Sequence, residues 1–168
     1  MFDPAITALT IEVLALCRER KLTVATVESC TGGLVAGALT TIPGSSDVVN
    51  GGLVTYSNAA KTALAGVDAG LIEAHGAVSE PVARAMAEGG RTRLAADIAV
   101  AITGVAGPGG GSEAKPVGLV HFGCATAAGT VHRQKRFGAL SRDEIRRLSV
   151  VEALDLLKHA AIGNQSDA

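Results

Sequence analysis

The sequence predicts an α/β fold: a single-domain three-layer sandwich whose mixed, mostly parallel sheet ends in a late antiparallel hairpin and carries helices on both faces. Three observations predict it. Segments rich in β-branched residues alternate with segments of helical apolar spacing, the pattern of strands joined by crossover helices. Asp97–Thr103 is almost wholly apolar, as a strand buried on both faces should be. Val117–Thr126 and Thr130–Phe137 flank Ala127, Ala128 and Gly129, which reads as a hairpin.

Taken in order, residues 4–20 place Ile6, Leu9, Val13 and Leu16 at helical spacing, closed by Arg18, Glu19 and Arg20. Thr23–Val27 is a strand that runs into Glu28-Ser29-Cys30-Thr31-Gly32-Gly33. A helix from Leu34 to Thr41 stops at Pro43-Gly44, and Gly51–Tyr56 is the second strand. Ser57 caps a helix over Asn58–Ala65. Ser79-Glu80-Pro81 opens a longer helix to about Ala96, with Pro in the first turn. Gly104–Pro116 is a loop by composition. Ser141-Arg142-Asp143-Glu144 is a capping box that opens the last helix, Arg142 to about Ala161. Residues 1–162 form the domain and 163–168 a frayed tail.

Composition limits the function classes. The chain has 168 residues, the length of one domain, with 48% apolar residues for its core. A formal net charge of -1 and 2% aromatics leave neither a basic stripe nor stacking platforms, which argues against nucleic acid as a partner. No apolar run reaches transmembrane length and the first residues lack a secretory pattern, so the expectation is a cytoplasmic protein without membrane contact. Three cysteines without C-x-x-C spacing fit a reducing compartment better than a disulfide framework. Four scattered histidines give no metal-ligand spacing, so neither a metal nor a cofactor is expected.

Three constellations can carry chemistry. Glu28–Gly33 joins a buried strand to a helix N-terminus, where free amides and the helix dipole favour a phosphate or carboxylate, with Ser29 and Thr31 as hydroxyl donors. The plain alternative is a turn capped by Thr31. Gly104–Gly118 is a glycine-rich loop after a buried strand and longer than an ordinary connection, which suits ligand binding. The third comprises Pro43-Gly44-Ser45-Ser46, then Thr55-Tyr56-Ser57-Asn58, then Lys61 one turn into a helix. If partly buried, a lysine there titrates below its usual ~10.4 and can serve as a base for a serine hydroxyl; the plain alternative is an exposed helix lysine, the commoner case. Spacing leaves open whether Lys61 meets Ser46, Ser29 or neither. Cys30, at a helix N-terminus, is a further nucleophile candidate, and His121 is either solvent-facing or a satisfied buried histidine.

These segments together resemble the CinA C-terminal domain family, whose active members are nicotinamide mononucleotide deamidases. The resemblance rests on Glu28–Gly33, Pro43–Ser46, Val54–Asn58 with Lys61, His75–Glu80, Gly104–Pro108, Gly110–Ser112, Lys115–Gly118, and Arg142 with Arg146. It implies hydrolysis of the nicotinamide carboxamide by a serine with a lysine base. Ser46 is the implied nucleophile, Ser29 its competitor, Lys61 the base and Tyr56 a support for proton transfer. Thr31, Gly32, Gly33, Thr103, Gly104, Gly107, Gly110 and Gly111 would hold the mononucleotide, and Arg142 and Arg146 its 5′-phosphate. The resemblance also implies a homo-oligomer, and a stand-alone form without the pyrophosphatase domain of many relatives. Ser141 stands where relatives often carry an acidic residue before the arginine. A nucleotide-binding module without turnover, tied to competence or DNA damage, is the alternative from another class.

Overall fold

The structure, a computed structural model, describes residues 2–163. Among them the order is α1 (Pro4–Glu19), β1 (Val24–Glu28), α2 (Leu34–Thr40), a 3-10 turn (Ser45–Asp47), β2 (Val49–Val54), α3 (Asn58–Ala65) and α4 (Ala69–His75). Then come α5 (Glu80–Arg93), β3 (Ile98–Gly104), β4 (Leu119–Thr126), β5 (Gly129–Arg136) and α6 (Arg142–Gly163). The five strands form one sheet in the order β2-β1-β3-β4-β5. β1 is parallel to both β2 and β3, and β4 is antiparallel to β3 and β5. The expected mixed sheet with a late hairpin is therefore present.

Both faces are covered. Val24, Val100, Ile102, Phe122 and Cys124 pack against apolar residues of α1, α2 and α6, including Val13, Leu14, Leu39, Leu154 and Leu157. On the other face Val27, Ala101 and Ala125 meet Val82, Met86 and Ala87 of α5, with Ala65 and Ile72 beside them. The second face is closely approached because α5 presents glycines. A Cβ on Gly90 would lie 2.1 Å from Val27 Cγ2, and one on Gly89 would lie 1.6 Å from the Ala65 carbonyl oxygen. That contact seats α3, which carries Lys61, directly on α5.

The boundaries differ from expectation where a local bond decides. β2 begins two residues earlier and ends at Val54, opposite Glu28, where its partner strand β1 also ends. α5 ends at Arg93 rather than near Ala96. There Ala95 turns left-handed, and Asn50 Nδ2 donates to the Leu94 and Ala95 carbonyls at 3.1 and 3.0 Å. α4 was not expected; its seven residues are too few for periodicity, and only the Asp68 side chain, which accepts from the Leu71 amide, marks its start. Gly163 closes α6 instead of opening a tail, and residues 164–168 lie outside the described residues. Among the described residues no helix is long and apolar enough to cross a membrane.

Candidate active site

β1 and β2 are adjacent parallel strands whose chains leave towards opposite faces, β1 into α2 and β2 into α3. The carboxyl ends of two such strands open a crevice, the usual ligand position in open α/β sheets. Ser29 follows β1 directly, and its amide is fixed by the Ile102 carbonyl at 2.9 Å. Lys61 enters from α3, where Ser57 caps the helix by accepting from the Ala60 amide at 3.0 Å.

The two side chains meet. Lys61 Nζ donates to Ser29 Oγ at 3.1 Å and to the Thr55 carbonyl at 2.8 Å. Lys61 is only 1% exposed, and burial lowers its pKa from the ordinary value, with the neighbouring Cys30 opposing the shift. An amine so placed reaches its neutral form more readily, and its lone pair can then receive the Ser29 hydroxyl proton. Ser29 retains 9% exposure, so its hydroxyl reaches a cleft of about 220 Å³. Cys30, Tyr56, Asn58, Ala77, Val78, Thr103, Gly104, Ala106 and Arg142 complete the lining. That volume suits one small planar group, below the ~300–1,000 Å³ of drug-sized sites. Three larger depressions, of about 400, 390 and 360 Å³, contain neither Ser29 nor Lys61.

Ser46 does not join this pair. It lies exposed in the 3-10 turn before β2, at the amino end of the strand whose carboxyl end leads to Lys61. The whole strand lies between them, roughly 15–20 Å at ~3.3 Å per residue. Tyr56 stands at the mouth of the cleft, 61% exposed, and its phenolic oxygen accepts from Arg142 Nη2 at 3.0 Å. Arg142 Nη1 donates to the Gly107 carbonyl at 2.8 Å, which ties the glycine-rich loop to α6. Arg146 turns elsewhere: its Nη2 donates to the Thr31 carbonyl at 3.1 Å, and it lines the depression beside Phe2 and Asp3. The two arginines therefore do not converge on one cleft. Thr103 is buried with its hydroxyl donating to the Ala77 carbonyl at 2.9 Å. Gly104 lines the cleft, whereas Gly110 and Gly111 are exposed outside it.

The expected anion site at the start of α2 is already filled from within. Glu28, fully buried, accepts from the amides of Gly33 at 3.0 Å, Val35 at 3.1 Å and Ala36 at 2.8 Å. The Gly32 amide donates to the Ser29 carbonyl at 3.0 Å. Gly32 and Gly33 thus hold the turn rather than offer their amides to a phosphate, and both have positive φ, +61° and +98°. Thr31 does not cap; Gly33 occupies the N-cap position and the Thr31 hydroxyl is buried without a partner among the described residues. Cys30 is not an activated thiol: burial pushes it up to about 12, and Glu28 adds to the rise. His121 is the satisfied buried kind, with Nδ1 2.9 Å from His132 Nε2.

Thr55 and Asn58 lie in the third constellation, and Ala77 and Val78 in a segment of the family resemblance, yet the sequence alone assigns none of the four a role. Thr55 acts through its carbonyl, which no side-chain pattern signals.

A family profile for the CinA C-terminal domain matches residues 6–161. This chain belongs to the CinA C-terminal domain family. A CinA-like protein of Synechococcus sp. is 55% identical over 147 residues, covering 87% of this chain and 35% of that protein. Another from Mycolicibacterium vanbaalenii is 58% identical over 141 residues, covering 83% and 33%. The chain thus spans about a third of the length of these curated relatives. Among solved structures, the competence/damage inducible protein CihA from Agrobacterium tumefaciens superposes with a TM-score of 0.93 at 46% identity, covering 96% of this chain and 98% of that one. A CinA superfamily protein from Klebsiella pneumoniae does so with 0.89 at 32% identity, covering 94% and 98%. The sandwich and its crevice are thus those of a CinA domain.

Proposed function

We propose that this CinA domain is an amidohydrolase that converts nicotinamide mononucleotide to nicotinic acid mononucleotide and ammonia, with Ser29 as nucleophile and Lys61 as base. The observation that carries it is the buried Lys61 amine 3.1 Å from a serine hydroxyl that opens on a small cleft. The family resemblance supplies the substrate. The cleft supports it in size, since the carboxamide-bearing ring fits inside while ribose and phosphate extend past Tyr56 towards Arg142.

The steps balance. Ser29 Oγ attacks the carboxamide carbon as its proton passes to neutral Lys61 Nζ. The tetrahedral intermediate needs donors for its oxyanion. Gly32 and Gly33 amides are already engaged and Thr31 is fully buried outside the cleft lining, so this role falls to the amide of Cys30. The C–N bond then breaks, and the Lys61 ammonium returns the proton to the departing ammonia. Water, deprotonated by the same amine, attacks the acyl-serine; the acid leaves and Ser29 regains its proton. One amide and one water become one acid and one ammonia.

Ammonia release from nicotinamide mononucleotide by the purified protein is the test. Wild type turns over; Ser29→Ala and Lys61→Ala each lose roughly 10³-fold or more in kcat, the scale seen when a nucleophile or its base is removed. Ser46→Ala keeps kcat within twofold. Binding without turnover in the wild type replaces the enzyme with a nucleotide-binding module, and loss of activity in Ser46→Ala returns the nucleophile to that residue.

A further inference from the structure

The dyad accounts for Ser29 and Lys61 but gives no role to Glu28, a carboxylate buried in the core one residue before the nucleophile. Such a group is costly to bury unless its oxygens are fully bonded. Here they are bonded to three backbone amides of one turn, Oε2 to Gly33 and Val35 and Oε1 to Ala36. The usual device for a helix start is a short side chain at the N-cap itself. That position is held by Gly33, which has no side chain, and the Thr31 hydroxyl nearby is unused. The cap is instead supplied by the last residue of β1, the strand that leads into the serine.

This arrangement fixes Ser29 from both sides. Its own residue follows directly on Glu28, whose backbone pairs with Val54 on one side and Ile102 on the other. The carboxylate reaches over Ser29–Gly32 and grips the first turn of α2, which closes a loop around the nucleophile. The Glu28 carbonyl also accepts from the Thr55 amide at 2.8 Å, and the Thr55 carbonyl accepts from Lys61 Nζ. One residue therefore braces the attachments of both dyad members.

We infer that Glu28 is a positioning residue for the reaction, whose side chain holds the Ser29 turn at bonding distance from Lys61. The inference rests on the proposed Ser29–Lys61 pair, but it does not depend on the identity of the substrate.

The test uses a substrate-independent probe, methanesulfonyl fluoride, which sulfonylates an activated serine. The Ser29 Oγ–S bond forms, the S–F bond breaks, fluoride leaves and Lys61 takes the hydroxyl proton. The rate is read by mass spectrometry of the Ser29 peptide across pH, beside kcat and KM for nicotinamide mononucleotide. Glu28→Gln keeps the shape but sets an amide NH2 against backbone donors. Sulfonylation and kcat each fall at least tenfold, KM moves less than threefold, and the midpoint of the pH profile stays in place. Leu39→Val, a packing change at the far end of α2, lowers Tm yet keeps the sulfonylation rate.

Glu28→Gln at the wild-type rate overturns the inference. So does a shifted midpoint with an unchanged plateau, which would mean that Glu28 tunes charge, and so does a wild-type Ser29 that does not react. If Glu28→Gln does not fold, Glu28→Asp makes the same comparison, since its shorter carboxylate retracts from the amides; a wild-type rate there overturns the inference too. Sulfonylation that depends on Glu28 in a protein without mononucleotide turnover overturns the substrate and leaves Glu28 in its role. Turnover that ignores Glu28 does the reverse.

Discussion

Lys61 is a long cationic side chain placed where the fold would otherwise put an aliphatic one, 1% exposed and held by Ser29 Oγ and a carbonyl rather than by a carboxylate. The sign of its effect on stability follows from its lowered pKa. In the unfolded chain the amine titrates near ~10.4. Between its lower folded pKa and that value, the unfolded state binds a proton that the folded state has lost, so stability rises with pH. In urea titrations the stability of the wild type relative to Lys61→Met therefore increases from pH 7 to pH 10, and kcat rises over the alkaline range as the amine becomes neutral. A stability difference independent of pH would mean that Lys61 titrates as it does in water. Lys61 itself was legible in the sequence as a lysine just past a strand end. Its partner was not, because Ser29 and Ser46 both stand in serine- and glycine-bearing turns, and only the sheet reveals that these turns lie at opposite ends of β2.

Elements place these residues more than their own propensities do. α3 is only eight residues long, and its position depends on α5, where Gly89 lets the Ala65 carbonyl approach to a distance no Cβ would allow. Gly89→Ala forces backbone apart rather than a flexible side chain. Overpacking of this kind costs about 1–3 kcal/mol, and at roughly 2–4 °C per kcal/mol for a domain of this size Tm falls by about 2–12 °C. Because α3 carries Lys61, kcat in the folded fraction falls as well, by at least threefold. A variant with lowered Tm and full kcat would show that α3 is seated by β2 instead. α6 was predictable from its cap, α5 from Pro81 in its first turn and its length, and β3 from its unbroken apolar run. Ser79 stands at the start of α5 without capping it, its hydroxyl donating instead to the Gly76 carbonyl at 2.8 Å. α4 was not predictable, since seven residues give only about two turns, too few for a periodic pattern. The closed N-terminus of α2 was misread for another reason: an anion site and a site already filled by the chain's own carboxylate have the same local sequence.

Across the whole molecule, the sheet's two faces differ in chemistry. The face towards α1, α2 and α6 is apolar apart from Glu28 at its edge, whereas the α5 face carries His121 on β4 beside Thr103 of β3. Burial pushes His121 down to about 4, helped by His132 and Lys115 and, more weakly, Arg136, while Glu80 at the start of α5 opposes the shift. His132, stacked on His121, is also lowered by burial, with Glu80 opposing and Arg84 adding to the shift. The unfolded histidine takes up its proton near pH 6.5. Stability from keeping His121 neutral is therefore complete above that pH and is lost as pH falls towards 4. At 1.36 kcal/mol per pKa unit this amounts to at most about 3 kcal/mol, a large share of the ~5–15 kcal/mol that holds a domain together. Urea midpoints of the wild type should thus fall steeply between pH 6.5 and 4.5, and His121→Gln should flatten that fall even if it starts from a lower midpoint at pH 7. Parallel curves for the two proteins would assign the acid sensitivity to carboxylates instead. A flattened curve would show that the strands bordering the cleft stay together on the acid side only while this histidine pair remains uncharged.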